Sequence, residues 1–205
     1  TYCGLSDSYD GASHQAITDL AFVRAIPNMT VITVADAVET KKAVFAIADH
    51  QGPVYLRLSR AAAPVYYSED MKFEIGKGIT VRDGRDVTII TTGSVLHKAL
   101  AAAELLEAKG IQARVVDMHT IKPIDEELII ECARETGAIV TVEEHSVCGG
   151  LGSAVAEVLA EHMPVPMTRI GATDFAESGD YEQLLVKYGY GPESIAERCA
   201  EVIKR

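Results

Sequence analysis

Short β-branched runs alternate with longer stretches of helical periodicity along nearly the whole chain, and this alternation leaves few folds open. Parallel strands cannot be joined by a tight turn, so a strand–helix–strand rhythm builds a parallel sheet with crossover helices. The expected strands are Met29–Thr33, Val54–Leu58, Val87–Thr91, Ala113–Met118, Ile139–Val142 and Met167–Ile170. Between them, Ile17, Leu20 and Ala21 mark the apolar face of a helix expected to follow Ser13 directly and to run through Ile26, where Pro27 stops it. Asp36, with Glu39 three residues on, reads as a capping box. Ser94 and Asp125 are expected to cap two further helices that close at Gly110 and Gly137. A glycine loop then leads into a helix through His162, and two closing helices follow, the last with Pro192 at its first position.

The rhythm breaks between residue 61 and about residue 85. Ala61-Ala62-Ala63-Pro64, the pair Tyr66-Tyr67, and Gly76, Gly78 and Gly84 support at most one short strand near Ile79–Val81. The expected architecture is therefore α/β, with two parallel-sheet units: 1–62, a linker over 63–85, and 86–205. A chain of 205 residues, 48% of them hydrophobic, suffices for two such cores. The longest apolar runs are strand-length, far short of the roughly 20 residues of a membrane helix. A net charge of −11, spread along the chain, argues against nucleic-acid and membrane partners. Four scattered cysteines without C-x-x-C spacing fit reduced thiols in a cytoplasmic protein. No secretory leader opens the chain, and Thr1-Tyr2-Cys3-Gly4 reads as the interior of a longer sequence.

Three segments could carry chemistry. In Asp10-Gly11-Ala12-Ser13-His14-Gln15, a glycine turn before a helix would put Ser13, His14 and free N–H groups on one exposed tip, suited to anions or hydroxyls. Alternatively, Asp10 and Ser13 only cap the helix and His14 is a surface residue. In Leu56-Arg57-Leu58-Ser59-Arg60, Arg60 lies just past the C-terminal end of a strand, the edge at which open α/β sheets bind ligands. A guanidinium there can grip a phosphate through two parallel hydrogen bonds, whereas Arg57, within the strand, reads as structural. Gly149-Gly150-Leu151-Gly152 could cradle a phosphate, yet it lacks both the dinucleotide spacing and a P-loop lysine. Glu143 and Glu144 are neighbours at a strand end and point to opposite faces, so they are not a paired acid and base. Glu144, His145 and Cys148 lack a suitably spaced fourth metal ligand, and no metal site is expected.

Taken in order, several segments resemble the transketolase family. Asp10-Gly11-Ala12-Ser13-His14-Gln15, Arg24-Ala25-Ile26-Pro27-Asn28-Met29, Thr33-Val34-Ala35-Asp36-Ala37 and Leu58-Ser59-Arg60 look like the second half of its pyrimidine-binding domain. Ile75-Gly76-Lys77-Gly78, Ala113-Arg114-Val115-Val116-Asp117, Lys122-Pro123-Ile124-Asp125 and Val142-Glu143-Glu144-His145 resemble its C-terminal domain. The likeness covers essentially the whole chain and is greatest to the split bacterial form, in which two polypeptides make one enzyme. It implies transfer of a two-carbon ketol unit from a ketose phosphate to an aldose phosphate, in the pentose phosphate pathway, with thiamine diphosphate as covalent carrier and electron sink. It further implies that His14 polarises or protonates the substrate carbonyl, that Asp10 reads a sugar hydroxyl with Ser13 in second rank, and that Arg60 binds the distal phosphate. The cofactor-activating glutamate would lie before Thr1, and the diphosphate and its Mg2+ would belong to the N-terminal transketolase half. The implied partner is that half, in a homodimer or heterotetramer, and the chain alone is expected to be inactive.

Two residues depart from the family pattern: Tyr2 replaces a second substrate histidine, and Tyr9 replaces a glutamate. Rival readings are a related thiamine enzyme (deoxyxylulose-phosphate synthase or the β subunit of a 2-oxoacid dehydrogenase) and a non-catalytic dimerisation module.

Overall fold

The β-branched runs pair into two sheets. A computed structural model describes residues 3–205, so Tyr2 lies outside the described residues. The smaller sheet holds β1 (Thr30–Thr33), β2 (Val54–Arg57) and β6 (Thr120–Lys122) in the order β2-β1-β6. The larger holds β3 (Ile79–Arg82), β4 (Val87–Thr91), β5 (Ala113–Asp117), β7 (Ile139–Ser146) and β8 (Met167–Ala172) in the order β3-β5-β4-β7-β8. Its last four strands in that order run parallel, and β3 joins β5 antiparallel at the edge.

Successive residues of the central strands enter opposite cores. Ile89, Val115, Val140 and Val142 pack with α3 (Leu96–Glu107) and α7 (Pro192–Val202). Ile90, Val116 and Ile139 pack with α4 (Glu126–Thr136) and α5 (Leu151–His162). A sheet covered on both faces needs continuous apolar strands, and burial along Val87–Thr91 is complete. Among the described residues no helix is long and apolar enough to cross a membrane.

The caps explain where helices begin. Asp36 accepts the Glu39 N–H at 2.8 Å and opens α2 (Ala37–Ala48). Its second oxygen accepts the N–H groups of Tyr66 and Tyr67 at 2.7 and 2.8 Å, which pins the irregular segment after β2 to the first sheet. Glu39 does not return to the Asp36 N–H but accepts that of Ala35 at 2.6 Å. Asp125 accepts from Leu128 at 3.2 Å, and Gly137, at φ +68°, ends α4.

Several expectations need correction. The first helix does not start at Ser13. Gly11–Ser13 is a single 3-10 turn, and α1 covers only Asp19–Ala25. The intervening backbone is drawn into extended pairing: Ala16 bridges Cys3, Gly4 N–H donates to Ala16 O at 2.8 Å, and Ser146 N–H donates to Ile17 O at 2.7 Å. Ser94 caps nothing, because its hydroxyl donates to Glu144 at 2.7 Å, and α3 ends at Glu107 rather than Gly110. β7 runs four residues past Val142, so Glu143 and Glu144 are strand residues rather than an end. The three residues of β6 carry no periodic signal, yet they pair antiparallel with β1. Lys122 anchors them by donating to the Arg24 and Ile26 carbonyls at the end of α1, at 2.7 and 2.6 Å. The second half of the chain thereby completes the edge of the first sheet.

Candidate functional site

At the C-terminal end of β2 the chain carries two arginines with different surroundings. Arg57 is buried, and its guanidinium makes a two-pronged pair with Asp19, Nε to Oδ2 at 2.7 Å and Nη2 to Oδ1 at 3.0 Å. Nη2 also donates to the carbonyls of Ala16 at 2.8 Å and Glu144 at 3.1 Å. Burial pushes the Asp19 carboxyl up, but the bonds from Arg57 outweigh it and hold Asp19 below its ordinary value. Arg57 is structural, as its place inside the strand suggested.

Arg60 stands at the mouth of a cleft of about 320 Å³ formed with the loop Ser6–Asp10 and Tyr181. Its Nη1 donates to Asp7 and, at 3.3 Å, to Asp10. Two of the residues picked out in the sequence, Asp10 and Arg60, thus meet across 50 positions of chain. Ser13 and His14 sit at the far side of the 3-10 turn, exposed and not lining this cleft, with Ser13 Oγ 2.9 Å from His14 Nδ1. They are exposed after a glycine turn, as expected, but on a 3-10 turn and not at the start of a helix.

The loop bearing Asp7 and Asp10 is held from the second half of the chain. Leu5 N–H donates to Glu144 at 3.1 Å, Gly179 N–H donates to Ser8 O at 3.0 Å, and Gln15 donates to Glu177 O at 3.3 Å. Gly11 has φ +74°, and the Ser178 hydroxyl fills the space a Cβ would need. Tyr181, at the start of α6 (Tyr181–Lys187), donates to Glu144 at 2.8 Å, and burial followed by that carboxylate pushes its phenol far up. Sequence reasoning missed Asp7 and Tyr181. The polar run Ser6-Asp7-Ser8-Tyr9-Asp10 was a usable signal for the former, but nothing local marks Tyr181.

The glycine loop is not free for a phosphate. Glu143 accepts the Leu151 and Gly152 N–H groups at 2.6 and 2.8 Å, so the chain's own carboxylate fills the N-terminus of α5. Burial raises the Glu143 carboxyl to about 7, against the pull of those two N–H groups. His145 is buried, with Nε2 receiving the Ala21 N–H at 3.4 Å and Nδ1 2.8 Å from Ser146 O, while Cys148 is exposed. A larger cleft of about 460 Å³ lies beyond β1 and β2, lined by Val34, Asp36, Thr40, Ser59 and Ala61 among others, with no basic side chain among the described residues that line it. Among the described residues no three His, Cys, Asp or Glu side chains gather as a metal cage. These residues do not fit a diphosphate–Mg2+ site.

Two family models match the chain: the transketolase pyrimidine-binding domain over residues 1–65 and the transketolase C-terminal domain over residues 76–195. A protein of Methanocaldococcus jannaschii, provisionally named a transketolase C-terminal section, is 47% identical over 209 residues, covering 100% of this chain and 65% of that protein. One of the polypeptides of the apulose-4-phosphate transketolase of Phocaeicola vulgatus is 44% identical over 197 residues, covering 95% of this chain and 63% of its own length. A split-gene transketolase, solved as an inactive β4 tetramer, superposes with a TM-score of 0.92 at 50% identity, covering 95% of this chain and 64% of that one. The chain spans less than two thirds of the length of each of these relatives. With its two matched domains in family order, this chain belongs to the transketolase family.

Proposed function

We propose that this chain is the sugar-reading part of a two-part transketolase, which moves a two-carbon ketol unit from a ketose to an aldose on thiamine diphosphate. The family relationship and one observation carry the reading: Asp10 and Arg60, from separate segments, stand 3.3 Å apart at the C-terminal edge of a parallel strand pair. Asp10 accepts a hydrogen bond from a sugar hydroxyl and penalises the epimer that cannot supply it. His14, with Ser13 beside it, is exposed where a partner surface can close over it, and holds or moves a proton at the substrate carbonyl oxygen. Arg60 meets the end of the sugar remote from the reacting carbons and contributes orientation.

The cofactor, its Mg2+ and the glutamate that activates it are assigned to the N-terminal transketolase half, a division that the family relationship and the chain's partial span of its relatives support. The working form is a cytoplasmic homodimer or heterotetramer of the two parts, with 1–62 and 86–205 as this chain's two units. The relative solved as an inactive β4 tetramer supports both self-association and inactivity of this part alone. Purified chain, with thiamine diphosphate and Mg2+ added, is expected to transfer no two-carbon unit, and mixing with the matching N-terminal half to restore transfer. Turnover by the chain alone, or none by the mixture, overturns the proposal.

A further inference from the structure

The charge balance of the cleft bears on its substrate class. Among the described residues three charged side chains line it: Arg60 contributes one positive charge and Asp7 and Asp10 two negative ones, which sum to −1. Asp7 is the less ordinary of the carboxylates. Its side chain is only 4% exposed, one oxygen takes the Arg60 guanidinium, and Oδ2 has no hydrogen-bond donor among the described residues. A buried carboxylate oxygen without a donor is costly unless a ligand supplies one.

The two candidate termini of a sugar differ in what they can supply. A hydroxyl group donates one hydrogen bond and accepts others, so it can give its proton to Asp7 Oδ2 while its oxygen receives an Arg60 N–H. A phosphate near neutral pH is close to a dianion rich in acceptors. It cannot satisfy a second acceptor, and it brings like charge against two carboxylates that already share the guanidinium. The rest of the cleft suits an uncharged sugar as well. Tyr9 brings a hydroxyl, and Tyr181 presents a ring whose own hydroxyl is turned to Glu144. We infer that the cleft takes a sugar whose far end is a hydroxyl group rather than a phosphate, and that Asp7 is the residue that makes the selection. This rests on the transketolase reading and replaces the phosphate contact that the position of Arg60 alone suggested.

The test uses the reconstituted two-part enzyme with hydroxypyruvate as donor. Its bond to the carboxyl carbon breaks with release of CO2, and the remaining two-carbon unit forms a new C–C bond at the acceptor aldehyde. The paired acceptors are glyceraldehyde and glyceraldehyde 3-phosphate, which differ only in the terminal group. Wild type is expected to show the higher kcat/KM with glyceraldehyde. Asp7→Asn keeps the side-chain shape but removes one charge, and should shift the ratio of the two values at least ten-fold towards the phosphorylated acceptor. Because the ratio is internal to one preparation, partial misfolding does not move it. A wild-type preference for the phosphate, or an unchanged ratio in Asp7→Asn, overturns the inference. Absence of transfer to both acceptors overturns the transketolase reading instead. Inorganic phosphate then reads the cleft without turnover: it should raise the melting temperature of the Asp7→Asn enzyme and leave wild type unmoved. Equal stabilisation of both would count against Asp7.

Discussion

Arg57 and Arg60 are three residues apart, yet they belong to different regions of the molecule. Arg57 points into the junction between the two halves, with its side chain 2% exposed, and uses Nε and Nη2 to hold both Asp19 oxygens and the carbonyls of Ala16 and Glu144. Arg60 is 51% exposed, and its contacts to Asp7 and Asp10 both leave from Nη1. The difference separates two uses of one residue type. A forked cation buried among four acceptors fixes backbone geometry, whereas a half-exposed cation balanced against carboxylates sets what a cleft can accept. The first arrangement is expensive to break and chemically silent. The second costs less to alter and, in the proposed function, decides specificity.

The largest expected effect is at the buried site. Arg57→Ala leaves the Asp19 charge and two carbonyls without their donor, and loss of one partner of a buried pair costs about 3–5 kcal/mol. Urea denaturation of the purified chain checks it. Combining Arg57→Leu with Asp19→Leu removes both charges and is expected to recover much of the loss. A double variant no better than Arg57→Ala would mean that the backbone carbonyls, rather than the charge, dominate.

Carboxylates repeat the contrast and sharpen it. Asp7 and Asp10 have a guanidinium, but Glu39 on α2 and Asp117 at the end of β5 are fully buried and none of their described hydrogen bonds comes from a cation. Glu39 accepts from Ala35 N–H, and Asp117 accepts from Tyr67 OH at 2.8 Å. Glu39 Oε1 and Asp117 Oδ1 have no N–H or O–H donor among the described residues, so the two carboxyls can bond to each other only while one is protonated. Burial raises both pKa values above the carboxylate range, with the nearby Asp36 charge adding to it and the Tyr67 bond opposing it at Asp117. The folded chain therefore keeps a proton that the unfolded chain releases above about pH 4. The resulting stability is present in acid and is lost as pH rises through the raised values, at up to about 1.4 kcal/mol per pH unit for one proton. Asp117→Asn keeps an acceptor for Tyr67 and offers Glu39 a donor. Thermal unfolding curves of the two proteins should nearly meet at pH 5 and part towards pH 8, with the variant the more stable. Curves that stay parallel would show that the pair holds no proton.

How far these features were legible follows from their range along the chain. The parallel strands and most caps could be read, because β-branched runs and the offsets of Asp36 and Asp125 are local signals. The helix expected after Ser13 was misread, because Ala16 and Ile17 satisfy their backbone through Cys3, Gly4 and Ser146, partners that periodicity cannot see. β6 escaped notice for the same reason, being a strand made by its neighbour. At the site, strand-end placement set Arg60 apart from Arg57, and the two do differ in burial. It said nothing of Asp7, 53 positions away, which changes the charge that a ligand meets at Arg60.

The smallest expected effect completes the comparison of the arginines. Replacement by lysine keeps the charge and removes the fork, so it measures geometry alone. At position 57 no ammonium can span Asp19, Ala16 and Glu144 together, and a stability loss of at least about 2 kcal/mol is expected from the buried acceptors left bare. At position 60 the two carboxylates are reached from one nitrogen, and the bond from the Arg60 backbone N–H to Ser6 Oγ at 3.1 Å does not depend on the side chain. A lysine ammonium can take the place of Nη1 there and keeps its charge opposite Asp7 and Asp10, so a loss of at most about 1 kcal/mol is expected from the half-exposed side. Arg60→Lys should therefore move the urea midpoint by less than half the shift of Arg57→Lys, with an unchanged denaturant slope. Equal losses at the two positions would place Arg60 among the residues that hold the fold and remove the distinction between the regions.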